Sequence, residues 1–253
     1  MLKIIEARIQ QKHRTGPFPP AEPRLSDRYQ GRPEVDFTRC AADCGRCAAV
    51  CPTGAIRKDS AGRMVLDLGR CLFCGECAAA CPASAIRFTG EYAMSARRKE
   101  DLVLGGPREG RVEALDARMR RLFGRSFKLR QVSAGGCNAC EADTNVLNTP
   151  FFDLGRFGVQ FVASPRHADG LLITGPVPAH MRTALLKTWE AVPAPKLVIA
   201  VGSCAIAGGP YADHAEVHNG AAGLVPVDLF IPGCPPHPFT ILDGLLRLLG
   251  RIR

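Results

Sequence analysis

Cysteine spacing constrains this chain more than any other feature. Twelve cysteines fall into three sets of four with none left over: Cys40, Cys44, Cys47 and Cys51; Cys71, Cys74, Cys77 and Cys81; Cys137, Cys140, Cys204 and Cys234. Each set has the ligand count of a 4Fe-4S cubane, and three such sets point to three 4Fe-4S clusters and an electron conductor. Loops that must wrap such groups leave little freedom to the rest of the chain.

Composition sets the outer bounds. With 253 residues, 46% of them hydrophobic, there is material for two modest domains with packed cores. No apolar run approaches the roughly 18 residues of a membrane span, so no transmembrane segment is expected. The start, MLKIIEARIQQKHR, mixes charge into its short apolar stretch and lacks the layout of a secretory signal. Arg120-Arg121-Leu122-Phe123 imitates a twin-arginine signal but lies mid-chain with no hydrophobic run behind it. The cysteines are therefore expected in a reducing cytosol, where such clusters are metal ligands before they are disulfides. The formal charge of +9 counts cysteine as neutral. Three thiolate-bound clusters would remove about six charges, and there is no nucleic-acid motif, so nucleic-acid binding is not expected.

An internal duplication organises the first half. CGRCAAVCPTGAIR at 44–57 recurs as CGECAAACPASAIR at 74–87. Met64-Val65-Leu66 predicts a short strand, and Ala55-Ile56-Arg57 and Ala85-Ile86-Arg87 predict exits into strands after a short helical turn opened by Pro52 and Pro82. Residues 1–35 form an arm with an amphipathic helix candidate (Leu2, Ile5, Ile9) and a proline-rich stretch, either solvated or in contact with a partner or membrane surface. Residues 36–91 form the α+β two-cluster domain, and 92–111, with Gly105-Gly106-Pro107, carry a linker signature. From Val112 a helical pattern (Val112, Leu115, Met119, Leu122, Phe123) precedes strand candidates at 126–132, 159–163, 171–174, 196–201 and 227–231. These alternate with helical stretches at 179–191 and 239–249. That alternation predicts an α/β, flavodoxin-like parallel sheet over 112–253. Ligands of such sheets lie beyond the strand carboxyl ends, and Cys137, Cys140, Cys204 and Cys234 all fall in loops after predicted strands.

A C-x2-C-x2-C-x3-C-P run wraps one cubane with three thiolates and lends the fourth to the other cluster. On that pattern Cys40, Cys44, Cys47 and Cys81 hold one cluster, and Cys71, Cys74, Cys77 and Cys51 the other. The resemblance to two-cluster ferredoxins covers all of 36–91. One departure is that Cys40 and Cys44 are separated by three residues, the spacing of radical-SAM sites. Those sites leave one iron open, whereas the repeat here supplies a fourth thiolate and no barrel-length sequence follows. A zinc ribbon needs four cysteines and no duplicated run.

In the third set AGGCNACEAD, VGSCAIAGG and IPGCPPHP place every cysteine near glycine or proline, where backbone can approach a cubane and donate N–H groups to sulfur. These segments, with RLFGRSFKLR and RFGVQFVASPRHADGLLITGPV, resemble the small iron–sulfur subunit shared by NiFe hydrogenases and NADH:quinone oxidoreductase (complex I), over about 113–253. The complex I form has adjacent cysteines at the first position. Cys137-Asn138-Ala139-Cys140 is the spaced, hydrogenase-like form, so the resemblance points to membrane-associated energy-converting hydrogenases of the formate hydrogenlyase kind. The first half resembles the two-cluster ferredoxin subunit of the same complexes, here fused.

The resemblance implies an electron-transfer subunit of an oxidoreductase complex, connecting a NiFe hydrogenase-like large subunit to a redox partner. It would sit with further membrane-complex subunits, cytoplasmic and peripheral on the inner face of the cell membrane. A complex I-like NADH:quinone oxidoreductase subunit is the second reading, and a zinc-stapled scaffold the third. No catalytic residue is expected in this chain: there is no Ser/His/Asp arrangement, P-loop or dinucleotide fingerprint. His13, His167, His180, His214, His218 and His237 are scattered and read as surface or partner contacts. Glu141 is either a helix cap or a proton relay.

Overall fold

The computed structural model describes residues 2–23, 25–40, 44–106, 110 and 112–252. An N-terminal helix, α1 (Leu2–Gln11), buries none of its residues, and Leu2, Ile5 and Ile9 stay exposed. The proline-rich stretch after it is pinned down. Gly16 N–H donates to the Phe151 carbonyl at 2.8 Å, and the Phe18 ring lies 6.0 to 6.3 Å from those of Phe239, Phe157 and Tyr92.

The cysteine-rich region builds two small antiparallel sheets from its duplicated halves. Strand β1 (Pro33–Val35) leads in, helix α2 (Arg46–Ala49) and strand β2 (Ile56–Lys58) form the first half, and β3 (Met64–Asp67) separates the halves. Helix α3 (Glu76–Ala79) and strand β4 (Ile86–Phe88) form the second. The first exit strand, β2, pairs with β3, and the second, β4, pairs with β1. The stretch from 92 onward carries structure of its own. Its strand β5 (Val103–Leu104) adds to β3, and Met94, Ser95, Ala96 and Leu102 are buried. Pro107 of the expected linker lies outside the described residues.

Beyond 112 come α4 (Ala117–Phe123), β6 (Phe127–Ser133), α5 (Ala139–Val146), β7 (Val159–Phe161), β8 (Gly170–Thr174), α6 (Ala179–Ala191), β9 (Leu197–Val201), α7 (Ser203–Ala207), β10 (Leu229–Ile231) and α8 (Pro238–Leu248). The five strands are all parallel, in the order β7-β6-β8-β9-β10. This is a doubly wound sheet whose order reverses at β6, and such a reversal opens a crevice at the strand carboxyl ends. Side chains alternate across it: Leu172 faces the cluster formed with α8, while Leu171 and Ile173 face the one formed with α6. The strands buried at every position, β8, β9 and β10, read as the nearly continuous apolar runs seen in the sequence, while β6 and the edge strand β7 carry exposed residues such as Lys128 and Gln160.

The helical pattern from Val112 is not all helix. Val112 and Leu115 are buried, but Asp116 caps α4 by accepting from Met119 N–H at 2.9 Å, and Leu115 N–H donates to Leu248 carbonyl at 2.8 Å. A cap side chain that satisfies the first free amides sets where a helix begins, so the residues before it bury their side chains from outside the helix.

The two regions share one core. Leu66, Leu68, Met94 and Leu102 pack with Ala200, Ala205, Ile206 and Phe230, and Ala96 and Phe230 exchange both backbone hydrogen bonds at 3.0 and 2.8 Å. Ile206 is fully buried there, and a side chain on Gly69 would meet its Cγ2 at 2.8 Å. Ile206→Ala should therefore cost about 2–5 kcal/mol. In anaerobic denaturant titrations, the midpoints of far-UV ellipticity and visible absorbance should fall together. Two transitions with only one displaced would mean that the regions are energetically separate.

Candidate metal centres

The two runs of the duplication are folded so that each contributes to both halves. Cys51, Cys71, Cys74 and Cys77 line one cavity, with Ile56, Leu66 and Phe88 among its apolar walls. Cys40, Cys47 and Cys81 line a second, with Phe37, Met64 and Ile86. Cys44 is half-buried in the turn before α2; the three residues between it and Cys40 lie outside the described ones. The last cysteine of each run thus faces the cavity of the other run.

The repeated C-P-x-x-A segment explains how. Pro52 and Pro82 open a single turn, closed by Gly54 N–H on the Cys51 carbonyl and Ser84 N–H on the Cys81 carbonyl, that does not continue as a helix. Instead of reaching a carbonyl four residues back, the Ala55 N–H donates to Cys51 Sγ at 3.2 Å and the Ala85 N–H to Cys81 Sγ at 3.3 Å. The third turn residue is left-handed in both copies, Gly54 at φ 59° and Ser84 at φ 47°. N–H groups aimed at sulfur favour the thiolate. For Cys51 burial alone would raise the thiol, but backbone N–H groups of Thr53, Ala55 and Ile56 outweigh it and bring the pKa below its ordinary value. Burial instead dominates at Cys71, pushed up to about 12, and at Cys77, pushed up to about 11, with Cys74, Cys51 and Cys47 adding like charge.

The third set gathers at the sheet crevice. Cys137 follows β6 at the reversal point, Cys140 sits in the first turn of α5 rather than in the loop, Cys204 opens α7 after β9, and Cys234 follows β10. Burial pushes Cys204 up to about 11, and the nearby Cys234 and Cys137 add to it. Cys140 is raised by burial and then by Cys204, Glu141, Cys234 and Cys137. Two glycines let backbone close on these sulfurs: a side chain on Gly202, at φ 89°, would lie 2.5 Å from Cys140 Sγ, and one on Gly209, at φ 56°, 2.7 Å from Cys204 Sγ. Cys234 is raised by burial first, then by Cys137 and by Cys74 of the other region. Cysteines of the first two sets line cavities, and four thiols in each of the three sets is the ligand count of a 4Fe-4S cluster.

Glu141 does not cap α5. Its Oε1 accepts from Ser133 Oγ and Thr174 Oγ1, both at 2.6 Å, and these two residues are register partners at the ends of β6 and β8. The buried carboxylate thereby ties α5, and Cys140 with it, to the crevice. His237 caps α8 through Nδ1, which accepts from Phe239 N–H at 3.1 Å, and its ring packs against Tyr29 at 5.1 Å. Ser203 carried no signal in the sequence. Its hydroxyl donates to the Cys71 carbonyl at 2.5 Å and the Gly233 carbonyl at 3.1 Å, contacts 132 and 30 residues away in the chain.

Comparison with known proteins gives two family matches. Residues 137–248 match the family described as NADH ubiquinone oxidoreductase, 20 Kd subunit, and residues 39–85 a 4Fe-4S dicluster domain. Formate hydrogenlyase subunit 7 of Escherichia coli (strain K12) is 42% identical over 139 residues, 55% of this chain; the match spans only 54% of that relative, about half its length. The probable membrane-bound hydrogenase subunit mbhJ of Pyrococcus furiosus is 39% identical over 142 residues, 56% of this chain and 85% of the relative. An NADH-quinone oxidoreductase subunit of Heliobacterium modesticaldum is 40% identical over 121 residues, 47% of this chain and 69% of the relative.

The exchange of cysteines between runs is directly testable. Cys51→Ala should abolish the EPR signal of the centre held with Cys71, Cys74 and Cys77 and spare the one held with Cys40, Cys44 and Cys47. Loss of the latter alone would refute the exchange.

Proposed function

The chain belongs to the iron–sulfur family of the 20 kDa NADH ubiquinone oxidoreductase subunit, with relatives in hydrogenase and NADH-quinone oxidoreductase complexes, and we propose that it conducts electrons through three 4Fe-4S clusters in series. It is an iron–sulfur electron-transfer subunit of an oxidoreductase complex, with a ferredoxin-like region at 39–85. The series is supported by the electrostatic contact between the sets: Cys47 acts on Cys77, which shares a buried cluster with it, and Cys74 acts on Cys234. In this reading the set Cys51, Cys71, Cys74 and Cys77 stands between the outer set of Cys40, Cys44, Cys47 and Cys81 and the third set of Cys137, Cys140, Cys204 and Cys234.

A 4Fe-4S cluster supplies one-electron chemistry with little rearrangement, and the twelve cysteines are the residues that would hold three of them. The protein's part is to present thiolates, aim N–H groups at them and limit water. N–H donors at Cys51, Cys71 and Cys81 do the second. Apolar walls from Ile56, Leu66, Phe88 and Ile86 do the third. Both raise or lower a reduction potential by altering the cost of the extra negative charge.

In this reading residues 36–91 form the two-cluster module and 112–253 the third-cluster domain. The crevice set is covered by a NiFe hydrogenase-like large subunit, in a complex peripheral to the inner face of the cell membrane. No helix among the described residues is long and apolar enough to cross a membrane. The spaced Cys137/Cys140 pair supports the hydrogenase assignment. The 69% coverage of the Heliobacterium modesticaldum NADH-quinone oxidoreductase relative supports a complex I-like alternative.

Anaerobic reconstitution should yield about twelve irons and twelve acid-labile sulfides per chain, and a reproducible value near eight would remove the third cluster. In the native complex, metal analysis should find nickel, and Cys234→Ala should abolish hydrogen-dependent reduction of the ferredoxin-like half. Reduction at the native rate would take the third set out of the path, and an absence of nickel would turn the assignment to the complex I-like reading.

A further inference from the structure

The segment carrying Cys71 is held by two hydroxyls on successive carbonyls. From its own side, Thr53 Oγ1 donates to the Arg70 carbonyl at 2.7 Å. From across the shared core, Ser203 Oγ donates to the Cys71 carbonyl at 2.5 Å. Ser203 is 1% exposed, so no bulk water competes for either partner, and its N–H donates to the Gly233 carbonyl at 2.9 Å. One small residue therefore joins three cysteine-bearing segments: it precedes Cys204, bonds the residue before Cys234 and bonds Cys71 itself. A route of covalent bonds and one hydrogen bond runs from Cys71 through its carbonyl to the Ser203 hydroxyl, then along the backbone to Cys204. The neighbouring Cys74 and Cys234 offer a competing through-space route, but both are exposed, whereas the Ser203 route is bonded throughout and runs from the buried Cys71 through the buried Ser203 to the partly buried Cys204.

We propose that Ser203 is a positioning residue for electron transfer between the two regions, its hydroxyl setting both the separation and the bonded connection of the second and third thiolate sets. This rests on the reading that each of those sets holds a 4Fe-4S cluster. The step it serves moves one electron from a reduced to an oxidised centre, with no bond made or broken and no proton transferred.

The test uses the full chain, reconstituted anaerobically, with S203A, S203T and S203V. Iron content and the EPR signals of each centre come first. A wild-type chain lacking the third centre would overturn both the functional reading and this one. A photogenerated flavin radical then injects one electron, and freeze-quench EPR follows its passage between the second and third centres. At native iron content S203A should slow that passage roughly 10- to 100-fold, as removal of outer-shell partners of metal ligands commonly does, and should weaken the spin–spin splitting between the centres in the fully reduced protein. S203T, which keeps the hydroxyl, should restore both. S203V adds nearly the same bulk without the hydroxyl and should behave like S203A, so the Thr–Val comparison decides the matter even where S203A loses iron. Equal rates and splittings for S203T and S203V, or native values in S203A, would overturn the proposal.

Discussion

Crowding thiolates inside a protein is the constraint on which the rest of this structure depends. Burial favours the neutral thiol, and the neighbouring cysteines add like charge, which is why Cys71, Cys77, Cys140 and Cys204 are all pushed upward. A ligating thiolate is stable in such a place only beside a metal or beside donors fixed in position. The chain meets this with backbone: N–H groups on Cys51, Cys71 and Cys81, and glycines where a Cβ would collide with Cys140 or Cys204. Short turns and very short helices follow from that demand, since longer regular elements would spend their amides on their own carbonyls.

Joining the two regions is an apolar matter with a few polar rivets. Ile206, Phe230 and the Leu66–Leu102 group form one buried cluster, and the Ala96–Phe230 bridge continues it through the backbone. The exposed Arg70–Asp213 pair spans the same boundary at 3.4 Å and is worth about 0–1 kcal/mol. The buried Ser203 hydroxyl matters for direction more than for energy, because it acts on the carbonyl of a cysteine. An aromatic group of Phe18, Tyr92, Phe157 and Phe239 holds the N-terminal stretch that follows α1.

Glu141 shows how the sheet serves the crevice. Its acceptor oxygen joins the ends of β6 and β8 at the reversal point, where adjacent parallel strands diverge into their crossovers. A polar residue beside a cysteine in the sequence suggests a cap or a relay. The structure shows a brace in place of the cap, because Ser133 and Thr174 present two hydroxyls to one buried carboxyl group.

Short spacing made the two cysteine runs at 40–51 and 71–81 legible, because ligand geometry there is local, whereas the third set, spread from 137 to 234, was read from its glycine and proline contexts and a family resemblance. Apolar runs disclosed β8, β9 and β10, because every residue of these strands is buried. The duplicated exits into β2 and β4 were legible for the same local reason. Other features were decided only by tertiary structure. Asp116 shortens the helix begun by the Val112 pattern, and the turns after Pro52 and Pro82 stop at one turn because the Ala55 and Ala85 amides go to a cysteine sulfur and not to a helical carbonyl. The supposed tether from 92 onward adds β5 to a sheet. Which strand lies beside which, and hence that β6 is the reversal point, depends on crossovers that no local interval encodes. Ser203 is the extreme case: its partner Cys71 is 132 positions away, and hydrogen bonds over such distances exist only once the shared core has brought the segments together.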